Sequence, residues 1–186
     1  MPISRIPGVG LETIGTASVN TFLRGDNAWA GTITSGTAVS ASGTSVDFTG
    51  IPSTAKRITV MFSGVSTNGS SFIQIQLGDS GGVETTGYVG VMMTSGGGST
   101  ADTSITTGFG VRQNSAGYIS DGLITIGKLS GNTYAASGTL AASGAGTGTF
   151  VTSGSKTLSD TLTQVRITTV NGTDTFDAGT INIMWE

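Results

Sequence analysis

The chain has no cysteine and no histidine, only 3 prolines, and 10% charged residues. Without histidine there is no Ser-His or Cys-His nucleophile pair and no imidazole metal ligand. Without cysteine there is no disulfide framework, thiolate zinc site or redox dithiol. The 8 basic and 11 acidic residues leave a net charge of −3. So sparse and negative a balance argues against a nucleic-acid partner, which needs a basic patch, and against binding to an anionic membrane surface. No apolar run approaches the ~20 residues of a membrane span, so no membrane insertion is expected. The opening Met1-Pro2-Ile3-Ser4-Arg5-Ile6-Pro7-Gly8 carries no continuous apolar segment behind its arginine and does not read as a signal peptide. Synthesis in a bacterial host cytoplasm is the expectation.

What fills the chain is small and β-branched. Glycine, serine and threonine number 31, 23 and 32 of 186 residues, while isoleucine and valine together outnumber leucine 28 to 8. That is a strand-forming composition. Leu, Ile, Val and Phe make up about 23% of the chain, just above the level at which disorder is expected, so the core should be thin and helped by partner chains.

Residues 1–43 lack alternation and read as an extended N-terminal arm that orders only against neighbours. From residue 44 to 186, period-two patterns recur. Val46 and Phe48 flank Asp47; Ile58, Val60 and Phe62 alternate with polar positions; Ile73, Ile75 and Leu77 enclose Gln74 and Gln76. Val165, Ile167 and Thr169 oppose Gln164 and Arg166, and Ile181, Ile183 and Trp185 oppose Asn182 and Met184. Each run predicts a half-buried antiparallel strand with one dry face and one wet face. Asn68-Gly69 between two such runs predicts a hairpin, while Asn171-Gly172 and the glycine runs at 78–82 and 95–98 predict loops. Between Tyr118 and Leu129 the apolar parity slips, and Gly122 suggests a β-bulge. About eight to ten short strands without a helical stripe predict an all-β, antiparallel β-sandwich or jelly-roll-like domain.

Few side chains point to chemistry. Asp79 and Glu84 flank a glycine-rich loop and Asp174 and Asp177 flank Phe176, but carboxylates there read first as turn residues. No EF-hand spacing, phosphate loop or acid cluster is present, so no catalytic residue, metal ligand or cofactor is expected. Arg24-Gly25-Asp26 reads as a tight turn, beside a cluster of Phe22, Leu23 and Trp29 suited to a junction between chains. Tyr88, Tyr118, Tyr134 and the loop at Asn114 are the candidates for sugar contact, against the alternative that the tyrosines are core. Trp185 reads as core or intersubunit packing, and a terminal strand with a thin core favours oligomerisation.

Several stretches resemble bacteriophage tail-fibre and receptor-binding proteins. They are Phe48-Thr49-Gly50-Ile51-Pro52-Ser53 with Ala55-Lys56-Arg57-Ile58-Thr59-Val60-Met61-Phe62, the turn Ser66-Thr67-Asn68-Gly69, and Gln76-Leu77-Gly78-Asp79-Ser80-Gly81-Gly82. The ending Phe176-Asp177-Ala178-Gly179-Thr180-Ile181-Asn182-Ile183 is similar to a C-terminal strand of such domains, and Phe22 to Trp29 to a motif that precedes them. The opening residues, with Ile3 and Ile6, resemble short phage tail proteins. The resemblance implies a homotrimeric virion protein, a tail fibre or tail tip, and the lack of an acid cluster makes a non-enzymatic one the expectation. Its arm would dock on other virion proteins and its distal domain would bind a host-surface glycan or protein. A head-decorating or head-fibre protein, a polysaccharide-depolymerising tip enzyme and a bacterial surface adhesin are the alternatives.

Overall fold

Alternating Val, Ile and Thr positions keep the backbone extended, and frequent glycines let it reverse. The result in the computed structural model is an all-β chain, which describes residues 21–23, 29–31, 33–96, 99–111 and 115–186. The strands are β1 (Thr21–Leu23), β2 (Trp29–Gly31), β3 (Thr34–Ser35), β4 (Val39–Ser40), β5 (Ser45–Thr49), β6 (Arg57–Thr67), β7 (Ile73–Asp79) and β8 (Gly82–Val83). They continue as β9 (Tyr88–Gly96), β10 (Ser99–Ser104), β11 (Phe109–Val111), β12 (Tyr118–Ser130), β13 (Thr133–Gly144), β14 (Gly148–Thr157), β15 (Gln164–Thr169) and β16 (Phe176–Trp185). There are more strands than the eight to ten expected, and β6, β12 and β13 are long.

Every pairing among these strands is antiparallel. The large sheet runs β10-β9-β14-β13-β12-β6-β16-β3, with β4 also on β16; the small sheet runs β11-β7-β15-β5, with β8 on β7. They pack as a β-sandwich. Ile58, Val60 and Phe62 of β6, Ile124 and Ile126 of β12, and Ile181 and Ile183 of β16 meet Ile73, Ile75 and Leu77 of β7 and Val165 and Ile167 of β15 in one buried core. Each fully buried Ile or Leu there contributes about 2 kcal/mol of transfer free energy.

Four expectations are revised. First, Asn68-Gly69 is not a hairpin: β6 and β7 lie in different sheets, so the turn carries the chain from one sheet to the other. Asn171-Gly172 makes the return crossing from β15 to β16, and the two corners lock together. The Asn68 N–H donates to Thr175 O at 2.9 Å, and the Thr175 N–H to Asn68 Oδ1 at 2.8 Å. Asp174 accepts from Asn171 Nδ2 at 2.7 Å and from the Ser71 N–H at 2.9 Å, bonds that hold its carboxyl below the usual range. Asp174 is therefore a corner anchor.

Second, the domain begins earlier than residue 44. β3 and β4 pair with β16, the Ala41 N–H donates to Gly179 O at 2.9 Å, and Ala41 is buried. Third, β12 does not slip in phase. Ile124 and Ile126 face the core while Ile119 and Leu123 are exposed on the opposite face, so the strand is apolar on both sides. A bulge does occur there: Ser120 pairs with Val65 and Gly122 with Phe62, which places the extra residue on β6 opposite Asp121. Fourth, all seven residues of β7 are buried, including Gln74 and Gln76, whose alternation predicted a wet face.

Two buried hydroxyls among the described residues, those of Thr94 and Ser120, make no hydrogen bond. Ser120 is fully buried and its hydroxyl has no hydrogen-bond partner. An unmade buried hydrogen bond costs on the order of 1 kcal/mol or more, so Ser120→Ala is expected to raise stability by about 1 kcal/mol. A urea titration reads this as a higher midpoint at unchanged slope.

Candidate functional site

The outer face of the small sheet forms a concave, polar groove of about 520 Å³. Its floor follows from register: Thr168 of β15 stands between Ser45 of β5 and Gln74 of β7, and Arg166 stands between Asp47 and Gln76. Segments between strands form the walls, with Thr85 and Thr86 after β8, Thr107 before β11, and Thr44 and Asn171 at the corner. Overhang by these segments explains why the two glutamines are buried. Thr107 Oγ1 donates to Gln74 Oε1 at 2.7 Å, and Gln76 Nε2 donates to Thr107 O at 2.9 Å, so the floor amides hold the wall in place. Gly108 lets the wall come so close: a Cβ there would lie 2.8 Å from Gln74 Oε1 and 2.9 Å from Ile75 O.

The groove holds almost no net charge. Arg166 donates from Nε to Asp47 Oδ1 at 2.7 Å and from Nη2 to Asp47 Oδ2 at 2.8 Å, which pushes the guanidinium pKa up and neutralises both groups. Both are about two-fifths exposed, so the pair adds little to stability and serves to cancel charge. The remaining lining is chiefly hydroxyls and carboxamides, which both donate and accept.

One wall is fixed by an ionic cluster. Ser159 Oγ lies 2.7 Å from Asp79 Oδ2 and 2.8 Å from Glu84 Oε1, and the Ser159 N–H donates to Glu84 Oε1 at 2.7 Å. Lys156, buried, pairs with Glu84. The Ser159 hydroxyl and the Gly81 N–H hold the Asp79 carboxyl below its usual range. Burial works against the Glu84 anion, but Lys156 and Ser159 outweigh it and lower its pKa as well. Two carboxylates both held ionised lack the raised-pKa acid of a glycosidase pair. Asp79 does bond the turn that follows it, through the Gly81 N–H at 2.7 Å, but it closes β7 and is buried, where a solvated turn residue was expected.

The proposed sugar-contact tyrosines fall elsewhere. Tyr88 and Tyr134 are 2% and 1% exposed, and neither offers a ring face to a ligand; for both, that expectation is corrected. Tyr88 is instead a post. Its hydroxyl accepts from the Leu77 N–H at 2.6 Å, beyond the last β11–β7 pair, and donates to Glu84 O at 3.0 Å. Its ring meets Phe109 edge-on at 5.2 Å, and burial pushes its phenol pKa up. Tyr134 packs in the core under Lys128, whose Nζ lies 5.8 Å from the ring centroid. Burial of both rings is favourable, with hydrogen bonds to the Tyr88 hydroxyl and a cation over the face of the Tyr134 ring. Tyr118 is half-buried, edge-on to Phe150 at 6.2 Å, and away from the groove.

Ile3, Ile6 and Asn114 lie outside the described residues, as does Arg24-Gly25-Asp26. The backbones of Phe22 and Leu23 in β1 pair with Ala30 and Trp29 in β2. Trp185 is half-buried and packs on the core, in phase with Ile181 and Ile183 as expected. Sequence periodicity missed the groove because Gln74 and Gln76 looked like ordinary outward positions; only the threonine-rich segments at 85–86 and 106–107 hinted at it. Among the described residues no three His, Cys, Asp or Glu gather closely enough to hold a metal ion. No protein-family model, curated protein or solved structure matches the chain.

Proposed function

We propose that this chain is a non-enzymatic attachment protein of a phage virion, a homotrimeric tail fibre whose sandwich binds a host-surface glycan in the groove above the small sheet. The observation that carries this reading is the groove itself: a concave, nearly neutral surface of hydroxyls and amides, which suits a polyhydroxylated ligand. The resemblance of the 46–88 block to tail-fibre domains supports the biological setting. Affinity per groove is weak, and several copies on one particle raise it.

An array of bacterial surface polysaccharides probed with the purified chain tests this. Binding to at least one polysaccharide is expected, with about tenfold weaker binding in Thr86→Trp, where an exposed side chain is enlarged into the groove. Loss of two hydroxyls in Thr85→Val/Thr86→Val should weaken it about thirtyfold, at roughly 1 kcal/mol per hydrogen bond. A folded chain that captures no polysaccharide, or variants that bind as well as the parent, overturns the groove. New reducing ends in the captured polysaccharide would overturn the non-enzymatic reading.

A further inference from the structure

The outer face of the large sheet sets exposed large apolar residues among its serines and threonines. One row crosses five strands by register: Met93 on β9, Val151 on β14, Thr139 on β13, Leu123 on β12 and Met61 on β6. Beside it on β9 stand Val91 and Val89, the latter 72% exposed. The opposite parity of these strands is spent on the core, through Met92, Phe150, Leu140, Ile124 and Phe62, so the outward residues are surplus to the fold.

The middle of the same face carries no charge, and its ions stand at the margins, with Arg57 of β6 paired to Glu186. The outward positions of β9, β14 and β13 in the described residues are Val, Met, Ser, Thr and Ala only. Asp102 stands at the β10 edge, and Asp121 on β12 is engaged by the Gly64 N–H at 2.7 Å. An interface core shows this pattern, depleted of ions and enriched in methionine.

We infer that this face is where copies of the chain pack against one another. The inference rests on the self-association in the proposed function and is independent of the glycan groove. Six strands, β9 to β16 across the sheet, at about 4.8 Å spacing and eight paired residues along each make a face of roughly 29 by 27 Å. That is about 800 Å², one partner's share of a standard stable interface. A membrane or a nucleic acid would require a cluster of basic residues, whereas Arg57 of β6 stands at the end of this face and is already paired with Glu186. Two chains that each carry a net charge of −3 can approach through it because the outward positions of β9, β14 and β13 bring no ion to desolvate.

Light scattering on the full chain in solution tests this, with Val91→Lys/Val151→Lys/Leu123→Lys as the disrupting variant. The parent is expected as a defined oligomer. The variant should fall to the single-chain mass of 18.5 kDa with an unchanged circular dichroism spectrum. Because the chain has no cysteine, Ser137→Cys places a unique thiol at the centre of the face, and a short bis-maleimide should cross-link it between chains. The cross-link reads the same contact if the triple variant does not fold. A monomeric parent, a folded triple variant that keeps the parent's mass, or an absent cross-link overturns the inference. A chain that captures polysaccharide yet stays monomeric would leave the groove standing and remove this face, and an oligomer that captures none would do the reverse.

Discussion

Replacing Gly179 with alanine is expected to cost about 3 kcal/mol or more, a large share of the 5–15 kcal/mol that holds a domain together. Two effects add. Gly179 sits at φ +92°, a backbone conformation where a Cβ alone costs roughly 1–2 kcal/mol. A Cβ there would also run into the Gly64 carbonyl and reach 2.5 Å from Val65 Cα, both backbone atoms that cannot swing aside. The clash falls where β16 and β6 change register, next to Ile181 and Phe62, so relief by separating the strands would open the core. Overpacking of that kind costs a further 1–3 kcal/mol or so. Gly172→Ala is the control: φ is +68° and nothing lies within 4 Å of the new Cβ, so only the backbone penalty of about 1–2 kcal/mol remains. Urea titrations of the two variants should differ clearly. Equal losses would mean that the β6–β16 approach does not set the cost.

Glu84→Gln is expected to lower stability by about 2–3 kcal/mol at neutral pH, because it strands Lys156 without its counter-ion. Lys156 is 6% exposed and its Nζ lies 5.4 Å from the centroid of the Tyr88 ring, which helps a cation but does not replace a carboxylate. Glu84 is itself 23% exposed, which keeps the figure below that of a fully buried pair. The sign of the pH dependence follows from the direction of the Glu84 shift. Its folded pKa lies below the ordinary value of 4.5, so its contribution is fully present above that pH and is lost as pH falls through the depressed folded value. The gap between parent and variant should therefore be full at neutral pH and close in strong acid. A gap of constant size from neutral to acid would show that the charge is not what Glu84 contributes. Pairing Glu84→Gln with Lys156→Met should recover part of the loss by removing the stranded ion. Since the Glu84 carboxylate also accepts from the Ser159 N–H and hydroxyl, the single variant should loosen the 84–87 wall of the groove and weaken ligand capture with it.

The strands were legible because burial on one face of a sheet writes itself into every second residue. Ile58, Val60 and Phe62, or Val165 and Ile167, needed no further information. The same rule failed in two informative places. At Gln74 and Gln76 the outward face is roofed by segments far away in sequence, and the buried amides carry hydrogen bonds to those segments, so polarity did not mean exposure. At Ile119 and Leu123 apolar residues face outward, and reading them as a phase slip assumed that every apolar side chain seeks the same core. Tyr88 and Tyr134 went astray for a related reason: a tyrosine is equally at home at a ligand surface or deep in a core that satisfies its polar end.

Composition and alternation alone settled that this chain is all-β, nearly free of ions and thin in core, because those properties are sums over local choices of residue. Which strands are neighbours was decided only in three dimensions. Asn68-Gly69 and Asn171-Gly172 dictate that the backbone reverses, but a reversal within one sheet and a crossing between two sheets need the same local dihedrals. The choice lies with contacts made about a hundred residues apart, such as Asn68 with Thr175 and Ser71 with Asp174. The groove and the bare outer face are products of that same long-range choice.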